Sequence, residues 1–222
     1  MEGRCEQEVI AAPSNRKKLW RHSFFCIIAA ALLMSAALAA WGAGHLLRSR
    51  ARRRNLPPPP DVSRIEPLLK HGDIILRSGI GLWSDFFRSR NLRDKRFSHV
   101  GIVQRAADGS WQVIHADGDD FTGHGTVFAD TLANFVGQST AVGIGRLRVA
   151  DPESFVRNAR KCLGRPFDWK FDTEESTAIY CTELVDLALR ETDPRLRLPS
   201  ERGIILPEAC LVSGFFAEIP VP

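Results

Sequence analysis

Three residues of this chain have the types and spacing of an acyl-transfer centre: Cys181, His99 and His115. Cys181 lies in Ala178-Ile179-Tyr180-Cys181-Thr182-Glu183-Leu184-Val185-Asp186-Leu187-Ala188-Leu189-Arg190, where apolar side chains recur at 181, 184, 185 and 188. That i, i+3, i+4, i+7 spacing predicts a helix with one buried face and puts Cys181 in its first turn. The unpaired amides and the dipole of a helix N-terminus favour a thiolate, which is the nucleophilic form. A lone thiol on an apolar stripe is more often a core residue, so the weight falls on what accompanies it.

The histidines accompany it. Phe97 to Arg105 reads as a strand, Ala106-Ala107-Asp108-Gly109-Ser110 as a turn, and Trp111 to Asp117 as the returning strand of a hairpin. With a three-residue loop Ala107-Asp108-Gly109 and Gly109 at the left-handed position, Ala106 pairs with Ser110 and Gly101 with His115. His99 and His115 then share a face as diagonal neighbours, with backbones about 7–8 Å apart, and Gly101 leaves space between them. A two-residue Asp108-Gly109 turn would instead put the histidines on opposite faces, because side chains alternate along a strand. In the favoured register Asp117 lies across from His99 and is a second candidate to orient that ring.

One histidine on a strand is weak evidence. A cysteine at a helix start with two histidines on one strand face supplies more: a nucleophile, a base for its proton and a group to fix the base's tautomer. The same types could hold zinc, but no CxxC or HxxxH spacing accompanies them. Asp117-Gly118-Asp119-Asp120 is acidic and loop-like but lacks the oxygen-ligand spacing and closing Glu of a calcium loop. No metal and no cofactor are expected.

Other elements must carry these groups. Gly72-Asp73 followed by Ile74-Ile75-Leu76-Arg77 reads as a turn and a short strand, Trp83 to Arg88 as a short helix with Trp83, Phe86 and Phe87 clustered, and Ala141 to Val149 as another strand. Asp151-Pro152-Glu153 opens a helix, with an N-cap, proline at its first position and acid in its first turn. Phe155, Ala159, Cys162 and Leu163 are its expected buried stripe. His124, between Gly123 and Gly125, reads as loop. The aromatics of Gly164 to Asp172 are expected near the active face. Pro207-Glu208 opens a short helix, and Phe215-Phe216 resembles a closing strand.

The chain has 222 residues, 44% of them hydrophobic and 25% charged, with a net charge of +4. That is enough for one ordinary domain and something more. The basic excess is local. Arg16, Lys17, Lys18 and Arg21 precede an uncharged apolar run over 23–47, and Arg48, Arg50, Arg52, Arg53 and Arg54 follow it. The excess thus flanks a membrane-type segment, and nucleic acid is not an expected partner. The segment is long enough to cross a bilayer. A cleaved signal peptide with an Ala37-Leu38-Ala39 site is the alternative. The long polar lead and the continuation to Leu47 favour an uncleaved anchor. Pro57 to Pro60 make a stiff spacer of roughly 12 Å. The expected organisation is a basic segment over 1–22, an anchor over 23–47, an Arg/Pro-rich linker over 48–62 and a catalytic domain over 63–222. The domain is expected to be extracytoplasmic on a single-pass anchor, or exported if the segment is cleaved.

The ordered motifs carry a resemblance. Gly72-Asp73-Ile74-Ile75, Ser98-His99-Val100-Gly101-Ile102-Val103, Val113-Ile114-His115-Ala116, Gly164-Arg165-Pro166-Phe167-Asp168 and Tyr180-Cys181-Thr182-Glu183-Leu184-Val185 together resemble the YiiX-like branch of the NlpC/P60 superfamily. This is the circularly permuted papain-like group that includes the lecithin:retinol acyltransferase relatives. The likeness spans about residues 66–216. It implies an α+β fold, with an antiparallel sheet packed against helices, one of which starts at the nucleophile. It also implies Cys181 as nucleophile, His99 as general base and His115 as third member. Many bacterial relatives carry Glu at that third position, and the acyltransferase relatives carry His.

The activity so implied is thiol hydrolysis or acyl transfer through a thioester, on an amide or ester bond of a cell-wall peptide or a lipid. Two other classes compete. One is a catalytically inactive, membrane-tethered binding module of the same fold, which would have no need of a reactive thiol. The other is a structural protein whose Cys162, Cys181 and Cys210 are core or disulfide residues. Three cysteines leave at least one unpaired, which suits a free Cys181 and allows a Cys162–Cys210 bridge in an exported domain.

Overall fold

The computed structural model describes residues 28, 32–44, 56–119, 122–173 and 177–222. The chain divides into two units, Met1–Asn55 and Leu56–Pro222. In the first, residues 32–44 are helical. Among the described residues no helix is long and apolar enough to cross a membrane. Most of the remaining span expected over 23–47, with both basic flanks, lies outside the described residues.

The second unit is built on a six-stranded sheet. After a short helix α1 (Val62–Ile65) come β1 (Ile74–Gly79), α2 (Leu82–Arg90), β2 (His99–Arg105), β3 (Trp111–Gly118), β4 (Gly125–Thr131), α3 (Leu132–Gly137) and β5 (Ser139–Leu147). Then follow α4 (Pro152–Arg160), α5 (Cys181–Thr192), α6 (Glu208–Val212) and β6 (Phe216–Ile219). The strand order is β4-β3-β2-β1-β5-β6, and every pair is antiparallel. The central strands β1 and β2 are buried nearly end to end because both faces of the sheet are covered.

Alternation sorts their side chains between two cores. Ile74, Leu76, Val100, Ile102, Ile114 and Ala116 pack with Phe155, Ala159, Leu184, Val185 and Leu189 of α4 and α5. Ile75, Val103 and Val113 pack on the other face with Leu132, Phe135 and Val136 of α3. Asp151 caps α4 as its sequence predicts, accepting a hydrogen bond from Ser154 N–H at 2.9 Å. The expected stripe of α4 is corrected at one position. The helix ends at Arg160, so Leu163 falls in the following turn and is 44% exposed. The strand β4 and helix α3 had no clear sequence signal.

The hairpin has the expected register. Ala106 N–H bonds to Ser110 O at 2.9 Å, Gly109 is left-handed at φ 82°, and Arg105 pairs with Trp111. The β2–β3 register then runs only as far as Ile102 with Ile114. Its neighbours continue: β1–β2 to Arg77 with His99, and β3–β4 to Gly118 with Gly125. Between His99–Gly101 on one strand and His115–Asp117 on the other, the ladder opens within the sheet.

Candidate active site

Cys181 is the first residue of α5, as its periodicity predicts, and is 3% exposed. The residues on either side of it are clamped to the backbone of one residue, Ile205. Ile205 N–H donates to Tyr180 Oη at 2.8 Å, and Thr182 Oγ1 donates to Ile205 O at 2.5 Å. Tyr180 N–H is met by Glu183 Oε2 at 3.4 Å, the return half of a capping box. The sulfur receives backbone N–H groups of Val100 and Thr182. Val100 N–H reaches it where the β2–β3 ladder has opened, so the thiol, which belongs to the α5 side of the sheet, sits beside the strand that bears His99.

The two histidines are joined directly. His99 Nε2 and His115 Nδ1 lie 2.9 Å apart, with the rings at 89°. The glycine between them is required. Continuing the register sets Gly101 opposite His115, and a Cβ there would come within 2.4 Å of Val113 Cγ1 and 3.1 Å of His115 Cβ. Phe135 packs against both rings, and the tilted ring of Phe128 lies 4.5 Å from His115. His115 is 1% exposed and its Nε2 has no partner. His99 is 8% exposed. Its Nδ1 is the nitrogen that His115 does not engage.

Asp117 does not orient His99, against the sequence expectation. Its Oδ2 is held at 2.6 Å by Arg77 Nη2 and lies 4.0 Å from His115 Nδ1. Arg77 is the cross-strand partner of His99 on β1, and its Nη1 reaches Phe135 O at 3.3 Å and Gln138 Oε1 at 3.4 Å. Sequence reasoning passed over Arg77. The available signal was a charged residue inside the otherwise apolar run Ile74-Ile75-Leu76-Arg77.

Electrostatics define the protonation of this conformation. Burial, aided by Arg77, holds the His99 imidazole well below its ordinary value. Burial dominates at His115 too; there His99 and Arg77 push the same way and Asp117 opposes them. Burial also pushes the Cys181 thiol up to about 11, against the two N–H groups on the sulfur. The expectation of a thiolate at the helix start is thereby corrected: loss of water outweighs the helix terminus, and the thiol and both imidazoles are neutral. Cys162 and Cys210 are also buried and free, so no Cys162–Cys210 bridge is formed. Aromatics flank the helix start, with Phe171 edge-on to Tyr180 at 5.5 Å and Trp83 at 5.0 Å from Phe171.

An antiparallel sheet whose histidine strands precede, rather than follow, the helix that opens on cysteine has the circularly permuted papain-like architecture. The chain belongs to the permuted papain-like amidase family of YaeF and YiiX, the C92 family, whose model matches residues 68–199. Hydrolysis is the activity of that class. Among solved structures the fold is similar to the metalloprotein yiiX from Escherichia coli O157:H7, at 15% identity and a TM-score of 0.56, covering 69% of this chain and 97% of that one. No curated protein matches the chain.

That neighbour is described as a metalloprotein, and this chain also brings metal-ligand types together. His99, His115 and Asp117 each offer one atom within 4.8 Å of the others. As arranged they do not fit a divalent cation. The two ring nitrogens already bond to each other, and the carboxylate is taken by a buried guanidinium, a fixed positive charge where a second would have to enter.

Proposed function

We propose that this protein is a membrane-anchored thiol hydrolase or acyltransferase, with Cys181 as nucleophile, His99 as general base and His115 as the group that orients it. The observation that carries the reading is the 2.9 Å bond from His99 Nε2 to His115 Nδ1, made beside the helix start that presents Cys181. It leaves His99 Nδ1 to accept a proton. His99 takes the thiol proton as sulfur attacks an amide or ester carbonyl, and the carbonyl electron pair moves to oxygen. The backbone N–H of Cys181, at the start of α5, is a natural donor to that oxyanion. Collapse of the intermediate expels the amine or alcohol, which takes the proton from His99, and a thioester remains on Cys181. Water or another acceptor then releases the acyl group.

A neutral thiol–imidazole pair suits this order of events, because proton transfer then accompanies attack instead of preceding it. The substrates favoured are cell-wall peptides or lipids, since the apolar segment over 23–47 and the Pro57–Pro60 spacer would hold the domain near a bilayer. The test is mass spectrometry of the full chain after exposure to activated acyl esters and peptide amides. Acylation at Cys181 that disappears in Cys181→Ala and falls in His99→Ala supports the reading. Acylation elsewhere, or turnover indifferent to Cys181→Ala, refutes it and leaves the binding-module alternative.

A further inference from the structure

We propose that Arg77 is a positioning residue of this site, which holds Asp117 away from the imidazoles and thereby makes His115 the partner of His99. The inference rests on the reading of His99 as the base but concerns a different group. Asp117 Oδ2 is 4.0 Å from His115 Nδ1, close enough that a modest side-chain rotation would let a carboxylate compete for the proton that joins the two rings. A charged acceptor outcompetes a neutral one. What prevents this is Arg77, directly across β1–β2 from His99, whose Nη2 holds the carboxylate at 2.6 Å. The guanidinium is itself fixed from α3 and its end, by Phe135 O and Gln138 Oε1, and lies 4.6 Å over the Phe135 ring. The groups that face the two imidazoles are therefore Arg77 from β1, Asp117 from β3, the Cys181 thiol from α5, and uncharged walls from Phe128 and Phe135. Arg77 and Asp117 are the charged members, and they neutralise each other.

The experiment is nuclear magnetic resonance of the full chain labelled with 15N-histidine, reading the coupling across the His99–His115 hydrogen bond and the pH at which the rings become charged. In Arg77→Met the freed carboxylate should take the ring proton. The inter-ring coupling is then lost and the charging midpoint moves up by about 1–3 pH units. In the double variant Arg77→Met/Asp117→Asn no carboxylate competes and the coupling returns. Recovery in the double variant separates positioning from a merely structural role, because a site damaged by loss of Arg77 would not regain the bond. The double variant buries no unpaired charge, so it carries the test alone if Arg77→Met does not fold: coupling present supports the proposal and coupling absent overturns it. Arg77→Met with wild-type coupling and midpoint also overturns it. These readings need no substrate, so they stand apart from the acylation test. Acylation at Cys181 with an Arg77-indifferent ring pair would sink this inference alone.

Discussion

His99 Nε2 and His115 Nδ1 share one hydrogen bond at 2.9 Å between nearly perpendicular rings. A bond between two neutral imidazoles carries a single proton, so one ring must donate and the other accept. If His99 Nδ1 is to receive a proton from Cys181, Nε2–H is the donor and His115 carries its own proton on Nε2. That nitrogen is the buried one without a partner, on a ring packed against Phe128 and Phe135.

His115→Phe removes the acceptor and keeps the aromatic packing. Turnover is expected to fall about 10²-fold or more while the fold survives, whereas His115→Asn, which retains an acceptor, recovers part of the loss. Steady-state kinetics with circular dichroism as a fold control decide this. Equal loss in both variants would mean that the ring does not act through its hydrogen bond.

Gly101→Ala brings a methyl within 2.4 Å of Val113 Cγ1 and against His115 Cβ. It is expected to cost about 1–3 kcal/mol by overpacking and to lengthen the His99–His115 contact, lowering turnover by more than the stability loss explains. Urea unfolding and kinetics on the same preparations test both halves. A variant as active as the wild type would show that the rings need no such gap.

Glu183 is buried at the third position of α5 and its carboxyl is pushed up to about 7. The sign follows directly: the folded state holds the proton more tightly than the unfolded one, so this stability is present below the unfolded value of about 4.5 and is lost as pH rises through 7. Glu183→Gln is therefore expected to raise the melting temperature at pH 8 and to leave it nearly unchanged at pH 4. Thermal melts across pH read this, and equal effects at both values would contradict it.

The histidines have the opposite dependence. Both are held well below their ordinary value, chiefly by burial, so the unfolded chain binds protons that the folded chain refuses. Stability is expected to fall as pH drops below about 6.5, and His99→Gln should flatten that fall. Denaturant midpoints between pH 5 and 7 measure the slope. An unchanged slope in the variant would assign the loss to other groups.

How far the sequence was legible depends on the range of the interactions involved. The turn Ala107-Asp108-Gly109 is local chemistry. It fixed the hairpin register, and with it the face shared by His99 and His115. The start of α5 at Cys181 was legible for the same reason, since capping and periodicity lie within a dozen residues. Asp117 was misread because its partner is Arg77, 40 residues away on β1, and a cross-strand reading of the hairpin alone contains no third strand. The protonation of Cys181 was misread because helix-start chemistry is local, whereas the burial that opposes it is made by the whole sheet and α5 together. Gly125-Thr126-Val127-Phe128-Ala129-Asp130-Thr131 carries no turn or repeat that marks an element, and it is β4 through its ladder with β3, a partner outside its own stretch.

The clamp of Tyr180 and Thr182 on Ile205 has a consequence for the order of synthesis. Ile205, whose backbone steadies the start of α5, lies beyond the helix in the chain. A nascent domain that has exposed Cys181 but not yet residues 205–222 would lack both hydrogen bonds, and β6 would be missing from the sheet edge beside β5. The surroundings of the thiol therefore form only after residues 205–219 have been made, so they follow the pairing of β6 with β5 rather than the emergence of α5 itself.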